Sequence, residues 1–435
     1  EHPDGDGRLK GPKRLSKTLK LFKEEIYKKV IELEESSRFN NRLDIYQEII
    51  KIITKNLQFV EIDCTSASNA FQVFDSLNGK GLDLTASDRI RNIFISWAPK
   101  GYGADYWEKI NSKLKNTNLT NFFISLFFYS TDKRIPKNKL PEEFKNKYNK
   151  DKDDFKTFYA NLLNNASIYG ELKNYNKPDK IKSILLDFNE LRFEQIYVLL
   201  FAIVLHYGGN IIKTKDFLQF IQKALNLVIR MQVCDMNMNK LDAFFTICIK
   251  KMKNEQYSLK DLIKDICAYG KSTVKDELFK VAFKTLSTND SKIVNIYLRH
   301  LETHLRIQNG NQNKVSRNLT IEHIIPQNVD LNEWYNQNPL PPNTTKEIFK
   351  ELYTENIGNK LLLCSTDNIS ASNNYYTKKI EVYENGTSGE NAGNPKSTFL
   401  LVEQLLKKYP NQFTHKEVEQ RAEDLSKLAL KTWAF

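Results

Sequence analysis

Glu322 and His323 stand side by side at the end of a short β-branched run, Leu319-Thr320-Ile321-Glu322-His323-Ile324-Ile325-Pro326-Gln327. A second apolar run, Leu361-Leu362-Leu363, follows Gly358-Asn359-Lys360. It leads through Cys364-Ser365-Thr366-Asp367 to Asn368. A histidine can take a proton from water near neutral pH. A carboxylate beside it can hold a hard cation such as Mg²⁺, which prefers oxygen donors, and an asparagine amide oxygen can serve as a further ligand. Hydrolysis of a phosphodiester needs a base for water, a cation for the charge that builds on phosphorus, and help for the departing 3′-oxygen. On this reading His323 is the base, and Glu322 and Asn368 hold the cation.

The elements that must position these residues are two short strands and the start of an asparagine-rich helix. Neighbouring side chains on a strand point to opposite faces. Glu322 and His323 can therefore serve one site only if the backbone turns at His323, which the following Ile324-Ile325-Pro326 permits because proline biases its predecessor away from helix.

Everything upstream reads as helical scaffold. Residues 1–14 are polar and rich in Gly and Pro, and they are expected to form a tail or irregular entry. From Leu15 to Ile53, apolar residues recur at three- and four-residue spacings, the signature of amphipathic helix. Leu57 to Cys64 alternates as a short strand. Phe71 to Asp88 predicts a helix ending at Leu77, then a turn through Asn78-Gly79-Lys80-Gly81. A second helix starts at Thr85, with Asp88 three residues on as a capping box. The Gly-Lys-Gly turn lacks the spacing of a phosphate-binding loop. Residues 100–185 read as amphipathic helices anchored by Phe122, Phe123, Phe127 and Phe128. A buried helix is predicted over Phe193–Tyr207, ended by Gly208-Gly209. Further helices are predicted within Thr214–Lys253, Leu259–Leu286 and Ile293–Ile307. His300 and His304 have zinc-ligand spacing, but they lack the His-Glu-x-x-His order and adjoin Arg299, so they are set aside. The polar stretch Asn309–Lys314 is taken as a boundary. The expected division is 1–14, 15–100, 101–308 and 309–435.

At 435 residues the chain is too long for one core, and 40% apolar residues with 26 phenylalanines suffice for packed interiors. The net charge of +12 suits a polyanionic partner. Five scattered cysteines with no Cys-x-x-Cys argue against a disulfide framework or a four-cysteine zinc site. Ile196–Leu205 is too short to span a bilayer, and no signal-peptide pattern is present, so a cytoplasmic protein without membrane contact is expected.

The constellation Glu-His-Ile-x-Pro-Gln, Gly-Asn-x-Leu-Leu-Leu, Asn368 nine residues after Asn359, then Asn373 and Lys378, resembles an HNH (His-Me finger) nuclease. More narrowly it resembles the nuclease domain of GmrSD-type, modification-dependent restriction proteins. The resemblance spans 295–435 and, more loosely, 15–100. It implies a mostly α fold, with a multi-helix region followed by a small ββα-metal core embedded in helices. It assigns Glu322 and Asn368 as metal ligands, His323 as the general base and Asn359 as the residue that orients it. Lys378, with Lys379 and Asn373, is assigned to the nucleic acid. Glu322 stands where many relatives have Asp, and the stretch from Asn328 to Ile357 is an insertion. Thr414 with Glu417 caps the family's terminal helix, in which Arg421 and Trp433 stand out. The Asp-Gly-Gln-Gln-Arg signature of the family's nucleotide-hydrolysing lobe is absent, so any NTP dependence is expected from outside this sequence.

These features imply an endonuclease or nickase dependent on Mg²⁺ or Mn²⁺, acting on double-stranded DNA, chemically modified DNA included, in antiviral defence. One site cuts one strand, so a double-strand break calls for a homodimer or a second visit. Two alternatives remain at this stage. One is a helical module that senses DNA or a nucleotide-bound lobe, with an idle nuclease domain. The other is an RNA-cleaving toxin.

Overall fold

The computed structural model describes residues 13–36, 39, 41–56, 84–115, 117–149, 151–253, 256–311, 315–328, 330, 331, 334, 341, 344–386 and 399–435. Two compact units share the chain, one over residues 1–77 and the other over 78–435. The first contains the helices Lys13–Glu35 and Arg42–Lys51, with Arg42 paired to Glu34. Asn41 opens the second helix by accepting the Asp44 N–H. The strand expected at 57–64 and the helix and turn expected at 71–83 lie outside the described residues.

The second unit is mostly helical. Its described part begins as the sequence predicts, with Thr85 and Asp88 forming a capping box for the Ala86–Trp97 helix. The phenylalanine anchors pack into one large core: Phe122, Phe123, Phe127 and Phe128 are buried, and so is most of the Ile196–Tyr207 helix. That helix ends at Gly208, whose φ of +84° favours glycine. The Leu259–Leu286 stretch breaks into two helices, Leu259–Thr273 and Asp276–Lys284. The Ser291–Gln308 helix follows.

The expected boundary at 309–314 does not coincide with a break between units. Leu362, Ala422, Leu425, Ala429 and Trp433 join the same core as the upstream helices. A smaller core gathers Ile324, Ile325, Leu361, Leu363, Tyr383 and Val418, among others.

Between these cores lies a two-stranded antiparallel sheet of β1 (Thr320–His323) and β2 (Lys360–Leu363). Every residue of β2 is buried. Leu362 points into the large core and Leu361 and Leu363 into the small one, the alternation of a strand covered on both faces. The turn into β2 is pinned from the terminal helix, His415–Thr432. A Cβ on Gly358 would stand 2.2 Å from the Val418 carbonyl oxygen, so only glycine allows this approach. Arg421, buried, donates to the carbonyls of Gly358 (2.7 Å) and Lys360 (2.9 Å). Burial brings its guanidinium down to about 10, which leaves it charged at neutral pH. Trp433 is buried against Phe279, Phe283 and Tyr297. Both terminal-helix positions singled out in the sequence are therefore structural.

Candidate active site

The pairing register decides which side chains meet. Glu322 lies opposite Leu361 and His323 opposite Lys360. Directly paired residues share a face of the sheet. Glu322 therefore faces the small core and His323 the large one. His323 is the last residue of the strand and still pairs with Lys360, and the chain bends only from Ile324 on, so the two neighbours remain on opposite faces of the sheet.

On the Glu322 face, the carboxylate is 3% exposed. Its Oε1 accepts from Lys379 Nζ at 2.6 Å and from the Tyr383 hydroxyl at 2.9 Å. Lys379 also donates to the His323 carbonyl at 2.7 Å. Burial lowers the Lys379 ammonium, and the Glu322 charge opposes that shift. Burial, with Glu322 alongside, raises the Tyr383 phenol well above its usual range. Asn368, on the Ser365–Ala371 helix, lies against this face. Its amide N–H₂ donates to Thr320 Oγ1 (2.9 Å) and the Ile321 carbonyl (3.1 Å).

This arrangement corrects two expectations. Lys379 is fully buried and committed to Glu322, so it does not face nucleic acid. It sits one turn inside a helix (Tyr376–Asn385) whose exposed side carries Lys378. Glu322 and Asn368 share a face, but the carboxylate is taken by an ammonium and a phenol, and His323 is on the other side. The expected pair does not fit a resident divalent cation as placed. Among the described residues, no group of three or more His, Cys, Asp and Glu could hold a metal ion. His300 instead sits between Asp187 (3.0 Å) and the Trp433 indole N–H (3.3 Å).

On the His323 face a different cluster appears. His323 Nε2 lies 3.3 Å from Glu355 Oε2. Lys360 Nζ donates to the same oxygen at 2.7 Å, and Gln327 Nε2 donates to Glu355 Oε1 at 2.7 Å. Glu355 is 7% exposed and Lys360 2%. Burial alone would raise the Glu355 carboxyl. The bonds from His323, Lys360 and Gln327, with the Lys360 charge, outweigh it and hold the group at about 2. Glu355 thus accepts from all three, and Nε2 of His323 carries the proton. The His323 side chain keeps part of its surface open to solvent.

A carboxyl whose folded value lies below its ordinary 4.5 stabilises the fold above that pH. The contribution is lost as pH falls from 4.5 toward about 2. We expect the urea midpoint to drop across that window, and a pH series of denaturation curves checks it.

Asn359 is fully buried, and its side-chain hydrogen bonds go to the backbone rather than to the His323 ring. Its Oδ1 accepts the Ile325 N–H at 2.8 Å, and its Nδ2 donates to the carbonyls of Ile325 and Thr354, both at 2.9 Å. It fixes the chain leaving β1 and joins it to the segment that carries Glu355. Asn373 and Lys378 are exposed. The 328–357 stretch, where described, holds the Lys346–Phe349 helix and the wide turn Lys350–Thr354 just before Glu355. Trp334 anchors it by donating to the Phe413 carbonyl at 2.8 Å. A cavity of about 300 Å³ elsewhere, lined by Tyr148, Asp151 and Asn161, is remote in sequence from this chemistry.

Sequence reasoning missed Glu355. Nothing local distinguishes it from Glu347 or Glu351, and its role comes from the fold. Gln327 and Lys360 stand inside the quoted motifs, but only the pairing register shows that both converge on Glu355.

Residues 271–428 match the family model of the GmrSD restriction endonucleases, C-terminal domain. That stretch is similar to the C-terminal domain of these restriction endonucleases. The match contains both strands, His323, Glu355 and most of the terminal helix. It begins upstream of the 309–314 linker, and the contacts account for that. The matched segment includes the turn after Lys284, where Ser287 pairs with Asn356 and the Ile357 N–H donates to the Leu286 carbonyl at 2.9 Å. No match is found among curated proteins. Among the described residues, no helix is long and apolar enough to cross a membrane.

Proposed function

We propose that the chain is a DNA endonuclease of an antiviral restriction system, with an HNH-type site in which His323 activates water. The observation that carries this reading is the position of His323. It is a partly exposed histidine at the end of β1, hydrogen-bonded to Glu355 and inside the segment matching a restriction endonuclease domain. With Nε2–H directed at Glu355, the neutral form of the ring holds its lone pair on Nδ1. Nδ1 takes a proton from water as the water oxygen bonds phosphorus. The P–O3′ bond breaks, and the 3′-oxygen leaves with its electron pair and is protonated by solvent.

Dependence on Mg²⁺ or Mn²⁺ is a separate proposal. It is carried by the charge that phosphodiester hydrolysis builds and not by Glu322. Lys378 and Asn373, on the exposed side of the Ser365–Ala371 and Tyr376–Asn385 region, are proposed to meet the backbone of double-stranded DNA. Sensing of modified bases, and any coupling to an NTP-hydrolysing lobe, would lie with other parts of the protein.

The reading is tested by incubating supercoiled plasmid with the chain and Mg²⁺ or Mn²⁺. Accumulation of nicked circles, with RNA left intact, supports it. Binding without cleavage of DNA under either ion overturns it. Lys378→Glu should weaken DNA binding about uniformly across sequences and lower the salt slope by about 1. Fluorescence anisotropy of a labelled duplex over a salt series measures both.

A further inference from the structure

We propose that Glu355 is the positioning residue of the hydrolytic site: a buried carboxylate that fixes the ring orientation and tautomer of His323 and is itself held by Lys360 and Gln327. The inference rests on His323 being the base, and it goes beyond that assignment by naming the partner that makes the base competent.

A free imidazole exchanges its proton between two nitrogens and rotates. A ring bonded at Nε2 to a fixed acceptor presents Nδ1 in one direction, with its lone pair outward. Glu355 is such an acceptor. Its Oε2 lies 3.3 Å from His323 Nε2, and each carboxylate oxygen takes a further hydrogen bond of 2.7 Å, from Lys360 and Gln327. Its main chain is fixed as well: its N–H donates to the Lys350 carbonyl at 2.9 Å, and its carbonyl accepts the Thr288 N–H at 3.1 Å.

Lys360 is anchored a second time, at the Thr288 carbonyl. Asn359, the residue the family resemblance would make the orienting group, spends its whole amide on the backbone of Ile325 and Thr354. The orienting task falls to the group that reaches the ring. When Nδ1 gains a proton from water, the imidazolium faces a carboxylate already ionised and in place, so little reorganisation accompanies the step.

The test uses the full chain and single-site cleavage of a labelled duplex, with kcat and KM measured separately. Glu355→Gln should lower kcat about 10²-fold or more while KM stays within about twofold, and Glu355→Asp should recover part of the loss. Glu355→Gln leaves the buried Lys360 ammonium without its counter-charge and can unfold the chain. The double variant Glu355→Gln, Lys360→Met removes that charge too and should show the same kcat loss with a restored melting transition. A folded double variant that cleaves at the wild-type rate, while His323→Ala is inactive, overturns the positioning role and leaves the nuclease reading intact. Absence of cleavage by the wild-type chain overturns both.

Discussion

Replacing Glu322 by leucine should cost about 3–5 kcal/mol of folding stability, because it leaves a buried ammonium without its partner. Lys379 is fully buried, and its charge is met by Glu322 Oε1 at 2.6 Å and by one carbonyl. With the carboxylate gone, the Tyr383 hydroxyl also loses its acceptor, at a further cost typical of an unsatisfied buried donor. Lys379→Met should destabilise to a similar degree from the other side. The pair of changes together should recover most of the loss, since a buried ion pair can be replaced by apolar groups at little net cost. Urea denaturation of the two single variants and the double closes the cycle. The two roles for Glu322 make opposite forecasts. A carboxylate open to a cation would lose activity on substitution and leave the unfolding midpoint in place. A carboxylate locked to Lys379 moves the midpoint. An unchanged midpoint for Glu322→Leu would show that the ion pair is not a structural element.

The second large effect is on rate. His323→Ala removes the proton acceptor and should lower the cleavage step by about 10²–10⁴-fold, the range typical of a lost general base. It should leave the fold intact. His323 contributes one hydrogen bond to Glu355, and Lys360 and Gln327 continue to satisfy that carboxylate. Binding of duplex DNA should change little, because the contacts proposed to hold the backbone lie on the exposed Lys378 side. The loss therefore belongs in kcat and not in KM.

Much of this molecule was legible from local pattern. The Thr85/Asp88 and Thr414/Glu417 capping boxes, the break at Gly208 and the helices Lys215–Val233 and Lys240–Met252 within the expected Thr214–Lys253 stretch follow from rules that act within a few residues. The two strands were legible too, because a β-branched run and a triple leucine have few other uses. What the sequence could not supply is register. Residues 322 and 323 are adjacent in the chain and opposite in the sheet, and the pairing with Leu361 and Lys360 sends one to each core. Lys379 reads as one more surface lysine beside Lys378 until the helix carrying it is docked, and then one of the two is fully buried. Glu355 lies 32 residues from His323. Only the wide turn at Lys350–Thr354, together with the bridge from Ser287 to Asn356, brings it to the ring. A long-range contact of this kind leaves no local signature.

The most direct measurement is the rate at which supercoiled plasmid is nicked by the wild-type chain and by His323→Ala, prepared in parallel and matched for melting temperature and DNA binding. The account predicts nicked circles from the wild type and a rate at least about 10²-fold lower from the variant. Equal nicking by a folded, DNA-binding His323→Ala chain would contradict it.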